Sequence, residues 1–303
     1  MQPKPEVTIG IPAYNAGAFL ERTIRSALDQ TWSPTRVVVS VDHSDDNTAE
    51  LALALASKWD LEVRVLPRRI GWVANSNAVL RAATSPYMMI LPHDDLLLPT
   101  YVARCVAALQ ANREAVVACT DLSTFGQAEI TVHPMELRGS QIERVEGMVR
   151  DCFAGVAYRG VIDRARLGHR LVPDIAVDDF AADTLWVARM CVAGEVLRVP
   201  EVLYRKLLHG KSAHSQWKGR SEREENQRWL AHTAEMESVI YGDAPALRHD
   251  PRIREAFRVR ARRTGAARFE DATPIRGIAN HFPMLAARIA RWRRKLGLRV
   301  RSS

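Results

Sequence analysis

Across the first 125 residues, short apolar runs and amphipathic stretches take turns, and this alternation restricts the chain more than any other feature. Val7, Ile9 and Ile11 alternate as in a strand; Leu20, Ile24, Ala27 and Leu28 then fall at i, i+4, i+7 and i+8, one face of a helix. Val37 to Val41 is a run rich in β-branched residues, followed by helical spacing around Leu51 and Leu55. Leu61 to Leu66 predicts a third strand, Gly71 to Ala83 a helix and Tyr87 to Leu91 a fourth strand. Val102, Cys105, Val106 and Leu109 mark the next helix face, and Ala115 to Thr120 closes the series. Strands that are apolar throughout are covered on both faces, so the expectation is an α/β fold: a Rossmann-type, mostly parallel sheet flanked by helices.

The rest of the chain is more mixed. Thr131 to Arg150 predicts loop plus a short helix, Asp183 to Ala193 a helix, and Val196 to Val199 with Pro200 to Arg205 two extended pieces. From 216 to 303 the pattern is helical, with helices predicted over Arg228 to Ile240, Ile253 to Arg263 and Met284 to Leu296. The expected division is therefore a domain over 1–215 and a helical, strongly basic extension over 216–303.

Charge separates along the same line. The chain carries 43 Lys and Arg against 35 Asp and Glu, a net charge of +8. From Pro251 onward, 14 Arg and one Lys face three acids, so the preceding 250 residues are net −4. A general nucleic-acid surface on the main body is not expected. Cys105, Cys119, Cys152 and Cys191 show no C-x-x-C spacing, which argues against a disulfide frame or a zinc ribbon. No basic-then-apolar leader and no membrane-spanning apolar run is visible, so a cytoplasmic location is the expectation.

Polar clusters follow the strands: Pro12-Ala13-Tyr14-Asn15 after the first, Asp42-His43-Ser44-Asp45-Asp46-Asn47-Thr48 after the second, Arg68, Arg69 and Gly71 after the third, and Pro92-His93-Asp94-Asp95 after the fourth. Ligands of open α/β sheets sit beyond these carboxyl ends. The Asp, Asn and His content suits a sugar, a ribose or a hard cation. Ser44, Asp46 and Thr48 read as turn and capping residues.

These clusters, with Gly71 through Asn77 between them, resemble family-two glycosyltransferases, inverting enzymes of GT-A fold that use nucleotide-sugar donors. The resemblance spans roughly residues 6 to 215. It implies a nucleotide-binding half over about 1–125 and an acceptor half over about 126–215. It further implies a donor site of Pro12, Tyr14, Asn15, Asp42, Asn77, His93, Asp94 and Arg205, with a UDP-linked donor favoured. A divalent cation, Mn²⁺ or Mg²⁺, is implied at Asp94, Asp95 and His209. Pro92 stands where the family's D-x-D motif has its first Asp, and Asp94 matches the second. The general base is implied to be an Asp opening a helix. Asp183 matches best, with Asp178 and Asp179 forming an acidic pair just before it.

Tyr158 and Arg159 fall where the acceptor pocket would begin, and Arg205 and Lys211 are expected to offset diphosphate charge. The implied acceptor is a carbohydrate or lipid-linked molecule of cell-surface polysaccharide synthesis. The altered acidic motifs leave a second reading, a non-catalytic member that only binds a nucleotide or a partner.

Leu285, Ile289, Trp292 and Leu296 form one stripe of the last predicted helix, with Arg288, Arg291, Arg294 and Lys295 interleaved. Such a helix suits the surface of an anionic membrane, from the inner face, or else packs on the body with its basic face in water. On the first alternative, liposomes containing anionic lipid should sediment the full chain and leave behind a chain ending near Asn280. Equal sedimentation of the two would refute membrane contact.

Overall fold

The computed structural model describes residues 3–152, 155–173, 179–210 and 221–265. Its sheet begins with four parallel strands, β1 (Val7–Ala13), β2 (Thr35–Val41), β3 (Glu62–Val65) and β4 (Tyr87–Ile90), in the order β3-β2-β1-β4. Between them run α1 (Leu20–Leu28), α2 (Thr48–Ala56) and α3 (Trp72–Ala82). A two-residue strand, β5 (Leu96–Leu97), and α4 (Tyr101–Ala111) lead into β6 (Ala115–Gly126), twice as long as its apolar run predicts. Next come β7 (Thr131–Val132) and α5 (Gln141–Asp151), which is opened by a capping box between Ser140 and Glu143.

A 3-10 turn (Val156–Arg159), β8 (Val161–Asp163) and the one-turn α6 (Arg164–Leu167) precede α7 (Ala182–Ala193) and β9 (Glu195–Leu208). The sheet continues from β4 through β8, β6 and β9 to β5. It is mostly parallel: β8 is antiparallel to both its neighbours, β5 to β9, and β7 to β6.

Continuous apolar strands are explained by two cores. Met89 and Leu91 point to the side packed with Leu20, Ile24, Val102 and Val106 of α1 and α4. Met88 and Ile90 point to the other, with Val79, Val145, Met148 and Trp186 of α3, α5 and α7. Successive residues of β4 thus meet apolar neighbours on opposite faces, whereas the edge strand β3 is partly exposed.

The helical segment after 216 shares the second core. In α8 (Glu222–Asp243), Met236 and Ile240 are fully buried, and in α9 (Pro251–Gly265) so is Ile253. Arg260 of α9, also fully buried, donates to the carbonyls of Val149 (3.0 Å) and Cys152 (2.8 Å) at the end of α5. A guanidinium there answers the unsatisfied carbonyls of a helix C-terminus. All four cysteines are buried free thiols. Among the described residues no helix is long and apolar enough to cross a membrane. The basic stripe from 284 lies outside them.

Because α8 and α9 belong to this core, Ile240→Ala should destabilise the chain by about 2–5 kcal/mol. Urea unfolding followed by circular dichroism and by tryptophan fluorescence should still give one coincident transition. Separate transitions would mean that the helices fold apart from the sheet.

Candidate active site

The loops after β1 and β2 are stitched together by short polar side chains. The backbone amide of Asn15, whose φ is 46°, donates to Ser44 Oγ (3.1 Å), and that of Ala16 to Thr48 Oγ1 (2.7 Å). Gly17 N donates to Asp46 Oδ2 (3.0 Å), and Asn15 Oδ1 accepts from Asp45 N (2.9 Å). Burial opposes ionisation of Asp46, yet hydrogen bonds from Thr48 and the Gly17 and Thr48 amides hold its carboxyl below the usual range. Ser44, Asp46 and Thr48 thus tie the two turns together, while the cap position of α2 belongs to Asn47, with no side-chain cap bond. Tyr14 is half-buried beside them, with the Arg69 guanidinium 4.2 Å from its ring centroid.

Asp42 is 2% exposed and accepts from the backbone amides of Ile70 and Gly71, both at 2.8 Å. It clamps the loop between β3 and α3, where Gly71 takes the left-handed φ of 84° that favours glycine. Asn77, expected in the donor site, is instead buried on α3 and pairs with the backbone of Val172 in both directions, each bond 2.9 Å. Its amide holds the segment that leads to the acidic pair. The helical phase decides this, since positions 75 to 77 all lie in the buried part of α3.

The loop after β4 is anchored from several sides. Thr23 of α1 donates to the carbonyls of His93 (2.9 Å) and Asp95 (3.0 Å), and His93 Nδ1 lies 3.2 Å from Pro12 O. Asp95 is 1% exposed and accepts from Tyr204 Oη (2.7 Å), Leu207 N (2.9 Å) and Arg159 Nε (3.2 Å). Burial raises its pKa, against the Arg159 charge. Expected as a metal ligand, Asp95 is turned inward and taken up by three protein donors.

Asp94 faces the other way. Its Oδ2 accepts from His209 Nε2 at 2.9 Å, and the His209 ring packs 5.0 Å from that of Phe19. Among the described residues no group of three or more His, Cys, Asp or Glu assembles as a ready metal cage. Asp94 and His209 offer one oxygen and one nitrogen. That set fits a divalent cation which takes its remaining ligands from water and a diphosphate.

Strand alternation sets Arg205 and Lys206 on opposite faces of β9. Tyr204 and Lys206 share a face of β9, and Lys206 sits among Asp94, Asp95, Asp183 and Arg159. Burial and the Arg159 charge bring Lys206 down to about 8, against the attraction of those carboxylates. Arg205, expected at the donor, points from the opposite face, with its guanidinium 5.3 Å from the Phe125 ring. Lys211 lies outside the described residues.

Asp178 does too. Asp179 has a φ of 51°, and a Cβ on Gly71 would stand 3.7 Å from its Oδ2. Asp183 occupies the first turn of α7, and the cap position belongs to Ala181, also left-handed at 51°. Gly155 permits the approach of the 3-10 turn, since a Cβ there would lie 2.6 Å from the Asp183 carbonyl carbon. Tyr158 and Arg159 on that turn face the same carboxylates: burial raises the Tyr158 pKa, Arg159 opposes it, and Asp183, Asp95 and Asp94 add to it.

One residue far along the chain bears on this helix start. His232 of α8 is 1% exposed and donates from Nε2 to Ala181 O at 3.2 Å. Its ring packs against Trp229 at 5.3 Å and Phe180 at 6.1 Å. Sequence reasoning missed both His232 and Lys206; strand phase alone offered a signal, and only for Lys206.

Residues 8–156 match the family model for Glycosyl transferase family 2. Chondroitin synthase of Pasteurella multocida (strain Pm70) is 37% identical over 116 residues, 38% of this chain and only 12% of that protein's length. The S. aureus TarS 1–349 structure in complex with UDP-GlcNAc superposes with a TM-score of 0.62 at 14% identity, covering 98% of this chain and 93% of that one. The mannosyltransferase PcManGT from Pyrobaculum calidifontis, in complex with GDP-Man and Mn²⁺, gives 0.59 at 17% identity over 98% and 82%. These likenesses establish the GT-A fold.

Burial, and then the Arg260 charge, push the His232 pKa down to about 3 despite the Ala181 hydrogen bond. Its unfolded value is near 6.5, so the stability it contributes is complete above that pH and is lost as pH falls toward 3. Between pH 7 and pH 5 the chain should lose about 2 kcal/mol from this group. His232→Gln should remove that share of the pH dependence of urea midpoints. An identical slope in the variant would show that His232 is not the titrating group.

Proposed function

The chain belongs to Glycosyl transferase family 2 through residues 8–156, and from that premise we propose that it transfers a sugar from a nucleotide-sugar donor to an acceptor hydroxyl with inversion. The observation that carries this reading is the Asp94–His209 pair, with Asp94 and Asp183 both within electrostatic reach of Lys206 and Tyr158. Support for the donor class comes from structures of this fold that hold UDP-GlcNAc and GDP-Man. We favour a UDP-linked donor and a carbohydrate or lipid-linked acceptor of the cell surface.

Asp183 takes the proton from the acceptor hydroxyl as its oxygen attacks the anomeric carbon. The bond from that carbon to the diphosphate oxygen breaks, and its electron pair leaves with the diphosphate. Attack from the face opposite the leaving group inverts the configuration. Asp94 and His209 would hold the divalent cation, which supplies Lewis-acid neutralisation of the leaving group. Lys206 and Arg159 add fixed positive charge where negative charge develops, inside a partly water-excluded site. Tyr14 and Asp42 shape the nucleoside end, Tyr14 by its ring and Asp42 by fixing the Ile70–Gly71 loop.

Asp183→Asn should lower the transfer rate by roughly 10²–10⁴-fold while the affinity for UDP with Mn²⁺ is unchanged. A thermal-shift series of nucleoside diphosphates with and without Mn²⁺ establishes that affinity and selects the base. Retention of most of the rate in the variant would remove Asp183 as the base. Tight nucleotide binding without transfer from any sugar nucleotide would favour the non-catalytic reading.

A further inference from the structure

Helix α7 opens on a strained turn without a capping side chain. Its cap residue, Ala181, has no side-chain acceptor and takes a left-handed φ of 51°, a region that alanine rarely occupies. Asp179, two residues earlier, is left-handed at 51° as well. Such conformations persist where the surrounding structure fixes them. Two contacts from α8, which lies outside the residues matched by the family model, hold this turn.

The first is a hydrogen bond. The Ala181 carbonyl accepts from the first-turn amides of Thr184 (2.9 Å) and Leu185 (3.4 Å), and His232 Nε2 adds a third donor at 3.2 Å. A carbonyl can only accept, so Nε2 carries the proton and Nδ1 the lone pair. Nδ1 is buried without a protein partner. An apolar side chain of similar volume would leave no such group unmet, so what the imidazole adds over it is the bond to Ala181. The second contact is aromatic. The Phe180 ring, between the two left-handed residues, meets Trp229 edge-on at 4.9 Å and His232 at 6.1 Å.

Asp183 stands two residues beyond this cap. Its Oδ1 accepts from the Thr184 amide at 2.9 Å, the same amide that donates to the Ala181 carbonyl. Carboxylate and carbonyl are thus tied to one N–H, and a shift of the carbonyl re-aims the carboxylate. We propose that His232 is a positioning residue for Asp183: by anchoring the Ala181 carbonyl it fixes the turn that opens α7 and so the direction of the base. The inference rests on the reading of Asp183 as the base. A misplacement of about 1 Å is enough to cost a catalytic group roughly a hundredfold in rate.

The test compares the full native chain with His232→Leu, His232→Gln and Ile240→Val, the last a packing change elsewhere on α8. Hydrogen exchange is followed at the first turn of α7, and turnover as release of the nucleoside diphosphate from UDP- and GDP-linked sugars with Mn²⁺, water serving as acceptor. His232→Leu should speed exchange of the Thr184 and Leu185 amides about tenfold and lower kcat roughly 10–100-fold, with donor KM and nucleotide affinity within about twofold. His232→Gln, whose side-chain amide can donate to the same carbonyl, should recover most of both losses, and Ile240→Val should change neither. Should the leucine variant fail to fold, His232→Met carries the same comparison. Unchanged exchange in the apolar variant, faster exchange with an unchanged kcat, no recovery in His232→Gln, or equal losses in Ile240→Val would each overturn the proposal. A native chain that turns over no sugar nucleotide sinks the glycosyl-transfer reading instead, and the exchange measurement still decides whether His232 anchors the turn.

Discussion

The site depends on one buried carboxylate whose hydrogen bonds all come from the protein. Asp95 accepts from Tyr204, from the Leu207 amide and from Arg159, and so joins the loop after β4 to β9 and to the 3-10 turn before β8. A carboxylate that deep requires such donors, because an unpaired one is strongly destabilising. Once it is satisfied, the next residue back, Asp94, is turned outward toward His209. Tyr204 is fixed on the same strand face as Lys206, and Arg159 is aimed at the carboxylates. Asp95 sets the geometry and leaves Asp94 to pair with His209.

Chain continuity then brings the two ends of the site together. Asp183 opens α7, α7 runs into β9, and β9 ends one residue before His209. The group assigned to the acceptor and the group assigned to the leaving diphosphate are therefore held by one helix and the strand that directly follows it. Asn77 from α3 and His232 from α8 hold the approach to α7, one through Val172 and the other through Ala181. Rigid elements position these side chains more closely than a loop would.

Much of this was legible before any coordinates. The parallel strands β1, β2 and β4 follow from their apolar alternation or runs, whereas the capping box that opens α5 was not read from the sequence. By contrast β8, β5 and β7 have two or three residues each, too few for any period to register, and they form only because longer neighbours pair with them. Asp94 and Asp183 could be placed because strand-end and helix-start positions are sequential features. Asp42 and Asn77 were expected to face a ligand, yet their partners lie 28 to 95 positions away, at Ile70, Gly71 and Val172. The inward turn of Asp95 depends on Tyr204 and Leu207 in the same way. No local pattern encodes such pairings.

The exchange of Arg205 for Lys206 has a definite mechanical cause. β6 and β9 run parallel with Thr120 opposite Val199, but Leu122 stands opposite Tyr204, so β9 holds three extra residues over that interval. An odd insertion inverts the alternation of side chains, and Val199 and Tyr204 come to share a face although five positions separate them. Pro200 falls within the irregularity, where a strand tolerates a residue that cannot donate. Without the bulge, Arg205 would share a face with Val199 and Lys206 would face away from the carboxylates. The irregular stretch thus delivers a lysine to the rim where the diphosphate is proposed to leave, and turns the arginine toward Phe125.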